Sequence, residues 1–222
     1  MRQRYIEQLA FLHSEMVEMG DLCEEAISLA IHALTKDEEE LIDKVFSVDA
    51  EIDRKERSIE ALCLKLLLQQ QPVATDLREI SSALKMISDM ERIGDQASDI
   101  AEITQYILGH KNESEDNIGK MAEEAVKMLT DSVDSFVKRD LVLARAVITY
   151  DDVVDDWFDR IKKRLIERIT ADNTQGEYCM DLLMVAKYLE RIADHATNIA
   201  EWVEYAITGM RSKNGVFPTE EE

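Results

Sequence analysis

The sequence predicts an all-α protein built as two tandem three-helix bundles related by internal duplication. Helix breakers are scarce, with two prolines and seven glycines in 222 residues, against plentiful Leu, Ile, Ala, Glu and Lys. Apolar residues recur at helical spacing through most of the chain. Residues 91–102 return 99 positions later as residues 190–201, with eight of twelve positions identical. The four changes are small: Gly94 to Ala193, Gln96 to His195, Ser98 to Thr197 and Asp99 to Asn198. A period near 100 residues is a duplicated domain, because solenoid repeats are far shorter.

Taken in order, residues 2 to about 35 carry a helical stripe through Tyr5, Leu9, Leu12, Met16, Met19, Cys23, Ile27 and Leu34. Thr35 and Glu38 have the spacing of a capping box, which predicts the start of a second helix running through Leu41, Val45, Ile52, Ile59 and Leu66. Pro72 stops that helix, since it lacks a donor and restricts Gln71 before it. A third helix follows through Leu77, Ile80, Leu84 and Ile87 and ends near Gly109. Polar residues 111–116 read as a linker. The second half repeats the plan with helices over about 118–137, 140–170 and from about 177 to Arg211, broken at residues 171–176. The expected division is a first bundle over residues 1–110, a second over 116–211 and an acidic tail over 212–222.

Composition narrows function. A formal net charge of −21 opposes binding to nucleic acid and to anionic lipid, and favours cations or basic protein surfaces. The longest greasy run, residues 61–68, contains Lys65 and is too short to span a bilayer, so the chain is not expected to insert in a membrane. The N-terminus has no signal-peptide pattern. Cys23, Cys63 and Cys179 share no metal or redox spacing and sit among apolar residues. They read as buried reduced thiols, which suits the cytoplasm.

The chemistry is concentrated in carboxylates. Glu91 takes a seam position of the third helix, after Leu77 and Leu84, where leucine is expected. Residues four apart turn 400°, so Glu91, Asp95 and Asp99 drift only about 80° and form one stripe. The preceding helix carries Asp49 and Asp53, matched in the second half by Asp151 and Asp155. Asp53 and Glu91 both lie 19 residues from Pro72, and Asp49 and Asp95 both lie 23, so an antiparallel hairpin brings them level. About Asn173, Asp155 and Glu190 lie 18 and 17 residues away, and Asp151 and Asp194 lie 22 and 21. Facing carboxylates either raise one another's pKa or recruit a cation. Oxygen-only ligands suit Mg²⁺, Mn²⁺, Ca²⁺ or an oxo-bridged iron cluster. The competing reading is a solvated charged face, which duplication and the seam position of Glu91 disfavour.

Other residues carry less. His195 reads as a plain polar residue, because its counterpart is Gln96. Arg92 and Arg191 lie three before Asp95 and Asp194 and are expected to pair with them along the helix. Met16, Met19, Met86 and Met90 read as core filler, and Trp157 and Trp202 as packing anchors. The chain has no Walker loop, no GxGxxG, no HExxH, no Glu-x-x-His pair and no serine or cysteine beside an obvious base. An enzyme is therefore not expected.

Over nearly its whole length the chain resembles the PhoU family of phosphate-uptake regulators. The resemblance rests on the duplication, on residues 72–78 opening the third helix, and on two motifs. These are Glu91, Asp95 and Asp99, and Glu190, Asp194 and Asn198, each at four-residue spacing. It implies two bundles about a pseudo-twofold, often as a homodimer, with multinuclear sites for divalent or trivalent metal ions (Fe, Mn, Mg or Zn). It implies negative regulation of phosphate import through the ATPase of a phosphate ABC transporter and through a membrane sensor histidine kinase. Mapped onto this chain, the metal ligands are Asp49, Asp53, Glu91, Asp95 and Asp99, then Asp151, Asp155, Glu190, Asp194 and Asn198. Asn198 replaces an acid, which lowers the charge of the second site. Residues 176–179 replace the Asp76-Leu77-Arg78 stretch, so the halves are expected to differ in partner contact. The rival function is a metal-dependent phosphoester hydrolase, in which adjacent ions activate water.

Overall fold

A computed structural model describes residues 2–70, 74–109 and 115–212. Among these, six long helices account for nearly all of the chain: α1 (Arg2–Lys36), α2 (Glu40–Gln70), α3 (Ala74–Ile107), α4 (Glu115–Lys138), α5 (Leu141–Ala171) and α6 (Gly176–Thr208). A 3₁₀ turn (Asn173–Gln175) lies between the last two. The expected turn at Pro72, most of the expected linker, and the tail beyond Ser212 fall outside the described residues.

The apolar stripes dictate how the helices assemble. On α3 the buried positions Ile80, Ala83, Met86, Ile87, Met90 and Ile93 follow a three- and four-residue spacing, which is one helix face. Each such large side chain contributes about 1.5–3 kcal/mol on burial. Within a repeat, α1 packs on α2 and α3, as α4 packs on α5 and α6. Between repeats, α3 meets α6 and α1 meets α4. The four helices α1, α3, α6 and α4 therefore close a ring around one continuous core, with α2 and α5 applied to its outside. Met16, Met19, Met86 and Met90 are all fully buried in that core, as their spacing predicts. The three cysteines are free and buried, and burial pushes each thiol pKa up, so they are packing residues.

The α1–α2 corner corrects the sequence reading. Thr35 does not cap α2; its Oγ1 donates to Ile31 O at 2.8 Å, back along α1. Instead Asp37 takes a left-handed conformation (φ 62°), and the Glu38 N–H donates to Ala33 O at 3.1 Å. That is a Schellman ending, which ties off the orphan carbonyls of α1. The same device recurs 102 residues later: Arg139 has φ 51° and the Asp140 N–H donates to Ser135 O at 2.9 Å. Asp140 then caps α5, its carboxylate accepting from the Val142 and Leu143 N–H groups at 3.0 Å. Matching left-handed turns at matching places are independent evidence of duplication.

Three further boundaries move. Glu115 and Asp116, expected in the linker, belong to α4. The last helix stops at Thr208, short of Arg211, because Gly209 adopts φ 80° and its N–H donates to Tyr205 O at 2.8 Å. Ser212 is not frayed. It is buried, its N–H donates to Glu204 Oε2 at 2.9 Å, and its hydroxyl bonds the same oxygen. Arg145 Nε reaches the other oxygen of Glu204 at 2.8 Å, so this fully buried carboxylate is paired on both sides. Between repeats, buried Glu79 of α3 joins His13 of α1 (2.8 Å) to Arg139 at the α4–α5 corner.

The Gly94 to Ala193 change has a packing reason. A Cβ on Gly94 would lie 2.7 Å from Asp49 Oδ1 and 3.0 Å from Ile52 Cδ1. In the second repeat Val154 stands where Ile52 stands, one methylene smaller, and leaves room for Ala193. Gly94→Ala is expected to destabilise the protein by about 1–3 kcal/mol, read by thermal or urea denaturation. Adding Ile52→Val should recover part of that loss.

Candidate metal centre

Both carboxylate stripes lie on the outside of the four-helix ring, one in the α2–α3 groove and one in the α5–α6 groove. In the first, Asp49 faces the α3 stripe. Its pKa is raised, chiefly by burial, with repulsion from Asp95, Asp53 and Asp99 adding to it. Glu91 is raised by burial and by Asp95, with Glu56 and Asp53 contributing. Asp99 is raised by burial and then by Asp95 and Glu102. Asp95 is thus the strongest repulsive neighbour of Asp49 across the groove, whereas Glu91 is acted on more by Asp95 and Glu56 than by Asp53. Arg92 reaches Asp95 at 3.1 Å along α3, as its spacing predicts. Asp53 turns along its own helix to Arg57 at 2.7 Å.

The second stripe opens into a cleft of about 910 Å³ lined by residues of α5 and α6 together with Gln96 of α3. Asp151 is its most perturbed group, raised to about 6 by burial and then by Asp194 and Asp155. Asp194 is raised as well, by burial first and by Asp155, although Lys187, His195 and Arg191 pull the other way and its side chain keeps access to water. Glu190 is less available than Glu91, because Lys187 pairs with it one turn away. Asp155 is exposed. Arg191 does not form the expected pair with Asp194; its guanidinium lies over the Tyr188 ring at 5.7 Å.

Asn198 has partners of its own. Its Nδ2 donates to Asp89 Oδ1 at 3.3 Å, and its Oδ1 accepts from Arg211 Nη2 at 3.4 Å. The same Asp89 oxygen lies 2.9 Å from His195 Nδ1. His195 is therefore a seam residue between repeats, a specific role where a plain polar one is expected. Across the pseudo-twofold Tyr188 stands at the position of Asp89 and lies near Asp99, the counterpart of Asn198.

One supporting hydroxyl escapes a search for acids alone. Thr197 Oγ1 donates to Asp151 Oδ1 at 3.3 Å. Its counterpart Ser98 lies near Asp49, but its Oγ is buried without a hydrogen-bond partner, so the support seen at Asp151 is not reproduced in the first repeat. The signal in the sequence is the Ser-to-Thr change, which keeps the hydroxyl in both repeats. Glu56 also belongs to the first stripe, raised by burial and by Glu60 and Asp53. No repeat signal marks it, because Phe158 stands at its counterpart.

The donor set fits a hard cation. It consists of carboxylates and neutral oxygens, partly desolvated and repelling one another. Among the described residues no three His, Cys, Asp or Glu side chains converge into a ready-made cage. A cation would therefore have to draw the stripes inward.

Comparison with known proteins settles the family. The PhoU domain model matches the chain twice, over residues 16–104 and 118–203. The chain belongs to the PhoU family. It is 36% identical over 212 residues to a phosphate-specific transport system accessory protein PhoU homolog of Clostridium acetobutylicum, covering 95% of this chain and 97% of that one. The crystal structure of PhoU from Pseudomonas aeruginosa superposes with a TM-score of 0.87 at 31% identity, covering 93% of this chain and all of that one. That of the phosphate transport system regulatory protein PhoU from Streptococcus pneumoniae gives 0.87 at 26% identity, covering 94% and 99%. The tandem helical architecture expected from the PhoU-like repeats is thereby established. Among the described residues no helix is long and apolar enough to cross a membrane.

A carboxyl whose pKa is raised on folding favours the native state at low pH and loses that contribution as pH rises through the raised value. At neutral pH, without a cation, Asp151 therefore costs on the order of 2 kcal/mol, allowing for solvent screening. In chelator at pH 7.5, Asp151→Asn is expected to melt several degrees above the parent. The gap should close as pH falls below about 6. Paired melting curves at the two pH values check it.

Proposed function

We propose that this chain is a metal-dependent regulatory adaptor that restrains phosphate uptake and phosphate-responsive signalling. As a PhoU-type protein it is an accessory and regulatory component of phosphate transport, the role in which its relatives are named. The finer reading adds a phosphate ABC transporter ATPase and a membrane sensor histidine kinase as partners, and a homodimer as the working form. The observation that carries the metal dependence is the duplicated stripe of mutually repelling, partly desolvated carboxylates.

Asp49, Asp53, Glu91, Asp95 and Asp99 would hold the first ion or ions, and Asp151, Asp155, Glu190 and Asp194 the second. Asn198 would join only by giving up its bonds to Asp89 and Arg211. A bound divalent or trivalent cation (Fe, Mn, Mg or Zn) supplies the charge that offsets carboxylate repulsion. The chain itself supplies orientation: Thr197 holds Asp151, and Gly94 leaves space for the Asp49 carboxylate. Because α2 and α5 touch only their own repeats, drawing either one inward changes the outer surface without breaking the core.

Protein purified without a metal-affinity tag is expected to carry stoichiometric metal by mass spectrometry, lost in the Asp95→Ala/Asp194→Ala double variant. A metal-free parent that resists reloading would remove the metal from the reading and leave partner binding alone. Phosphoester turnover by the metal-loaded parent, abolished by Asp95→Ala, would instead favour the hydrolase.

A further inference from the structure

Beyond α6 the chain turns back on itself. Gly209 reverses it with φ 80°, and the Ser212 N–H and hydroxyl both bond buried Glu204. This strap, residues 209–212, returns Arg211 along the helix. Its guanidinium pairs with the Glu201 carboxylate at 2.7 Å, donates to Asn198 Oδ1 at 3.4 Å and lies over the Trp202 ring at 4.2 Å. Glu201 is only 9% exposed, and a carboxylate so far withdrawn from water is costly unless paired. Glu201 and Asn198 both line the second cleft, in common with Asp151 and Asp194. Asn198 lies one helical turn from Asp194, and its neighbour Thr197 bonds Asp151 at 3.3 Å. In the first repeat Glu102, the counterpart of Glu201, is exposed, and Ile103 stands where Trp202 stands.

We infer that Arg211 is a built-in competitor for the cation of the second cleft. It withholds Glu201 and Asn198 from a metal ion, so that loading of this site and closure of the C-terminal strap exclude one another. The inference rests on the metal reading above and adds a regulation to it. Hard cations take carboxylate and amide oxygens alike, and at this end of the cleft both kinds already accept from the guanidinium. Loading therefore costs the ion pair and the contact with Trp202, and the affinity of the second site is lowered by that amount. Ser212, anchored on Glu204, keeps Arg211 close by, so the guanidinium returns when the ion leaves. Occupancy of the cleft is thereby passed to the chain beyond α6.

The test is Mn²⁺ titration calorimetry on the full chain, with Asp95→Ala present to silence the first stripe. Arg211→Met keeps a long side chain over Trp202 but removes the guanidinium, and is expected to tighten Mn²⁺ binding about tenfold. The gain should vanish when Asn198→Ala and Glu201→Gln are also present, because Arg211 then withholds nothing. An unchanged or weaker Mn²⁺ affinity in Arg211→Met would overturn the inference and leave the metal reading standing. A full gain that persists beside Asn198→Ala and Glu201→Gln would overturn it too, since it would come from a bare charge. Should Arg211→Met fail to fold, Arg211→Gln takes its place with the same outcomes. Absence of Mn²⁺ binding by the unmutated chain would overturn both.

Discussion

Half-buried acids set beside the apolar faces of their helices impose the constraint that shapes this molecule. The column of Leu77, Leu84 and Glu91 is not the buried seam its spacing suggests, since Leu77 is exposed and the core face runs through Ile80, Ile87 and Met90. Glu91 and Asp49 cannot retreat fully into solvent, because the helices that carry them are pinned by the apolar faces behind them. The ring of α1, α3, α6 and α4 supplies that pinning. Its continuous core holds α3 and α6 antiparallel and presents both stripes outward, beneath α2 and α5. Repulsion among the carboxylates is thus sustained by burial elsewhere, a local cost that a folded domain tolerates where function requires it. The hydroxyl of Thr197 softens it at Asp151.

Duplication set the plan and drift then divided the two halves. The corners at Asp37 and Arg139 still match, and the aligned hairpin arms differ by three residues in the length of their connection. Ile52 with Gly94 became Val154 with Ala193, an exchange of volume across one contact. The chemical changes are larger. Asn198 for Asp99, Phe158 for Glu56 and Lys187 for Ser88 all reduce the negative charge of the second stripe. Asp89 for Tyr188, and His195 for Gln96, make the seam itself asymmetric. The two stripes are therefore expected to differ in affinity while sharing a common frame.

Much of this was legible in the sequence, for physical reasons. The helices show themselves because burial of one face enforces a 3.6-residue period, and the facing acids because an antiparallel hairpin keeps equal counts from its turn. Local backbone choices were less legible. Thr35 and Glu38 satisfy the capping pattern, yet Thr35 bonds back to Ile31 and the left-handed turn at Asp37 takes over. Likewise nothing local announces that Ser212 will be buried against Glu204. The seam was not legible at all. Asp89 gains meaning only from His195 and Asn198, which the opposite repeat brings, and spacing along one helix carries no trace of it.

The central claim is that the paired stripes are cation sites, one per repeat, in the α2–α3 and α5–α6 grooves. Anomalous diffraction at the manganese edge from crystals of the Mn²⁺-loaded protein tests it most directly. The account predicts strong peaks within coordination distance of Asp49 and Asp95 in the first groove, and of Asp151 and Asp194 in the second. Fully loaded crystals with no peak in either groove, or with peaks only at other surfaces, would contradict it.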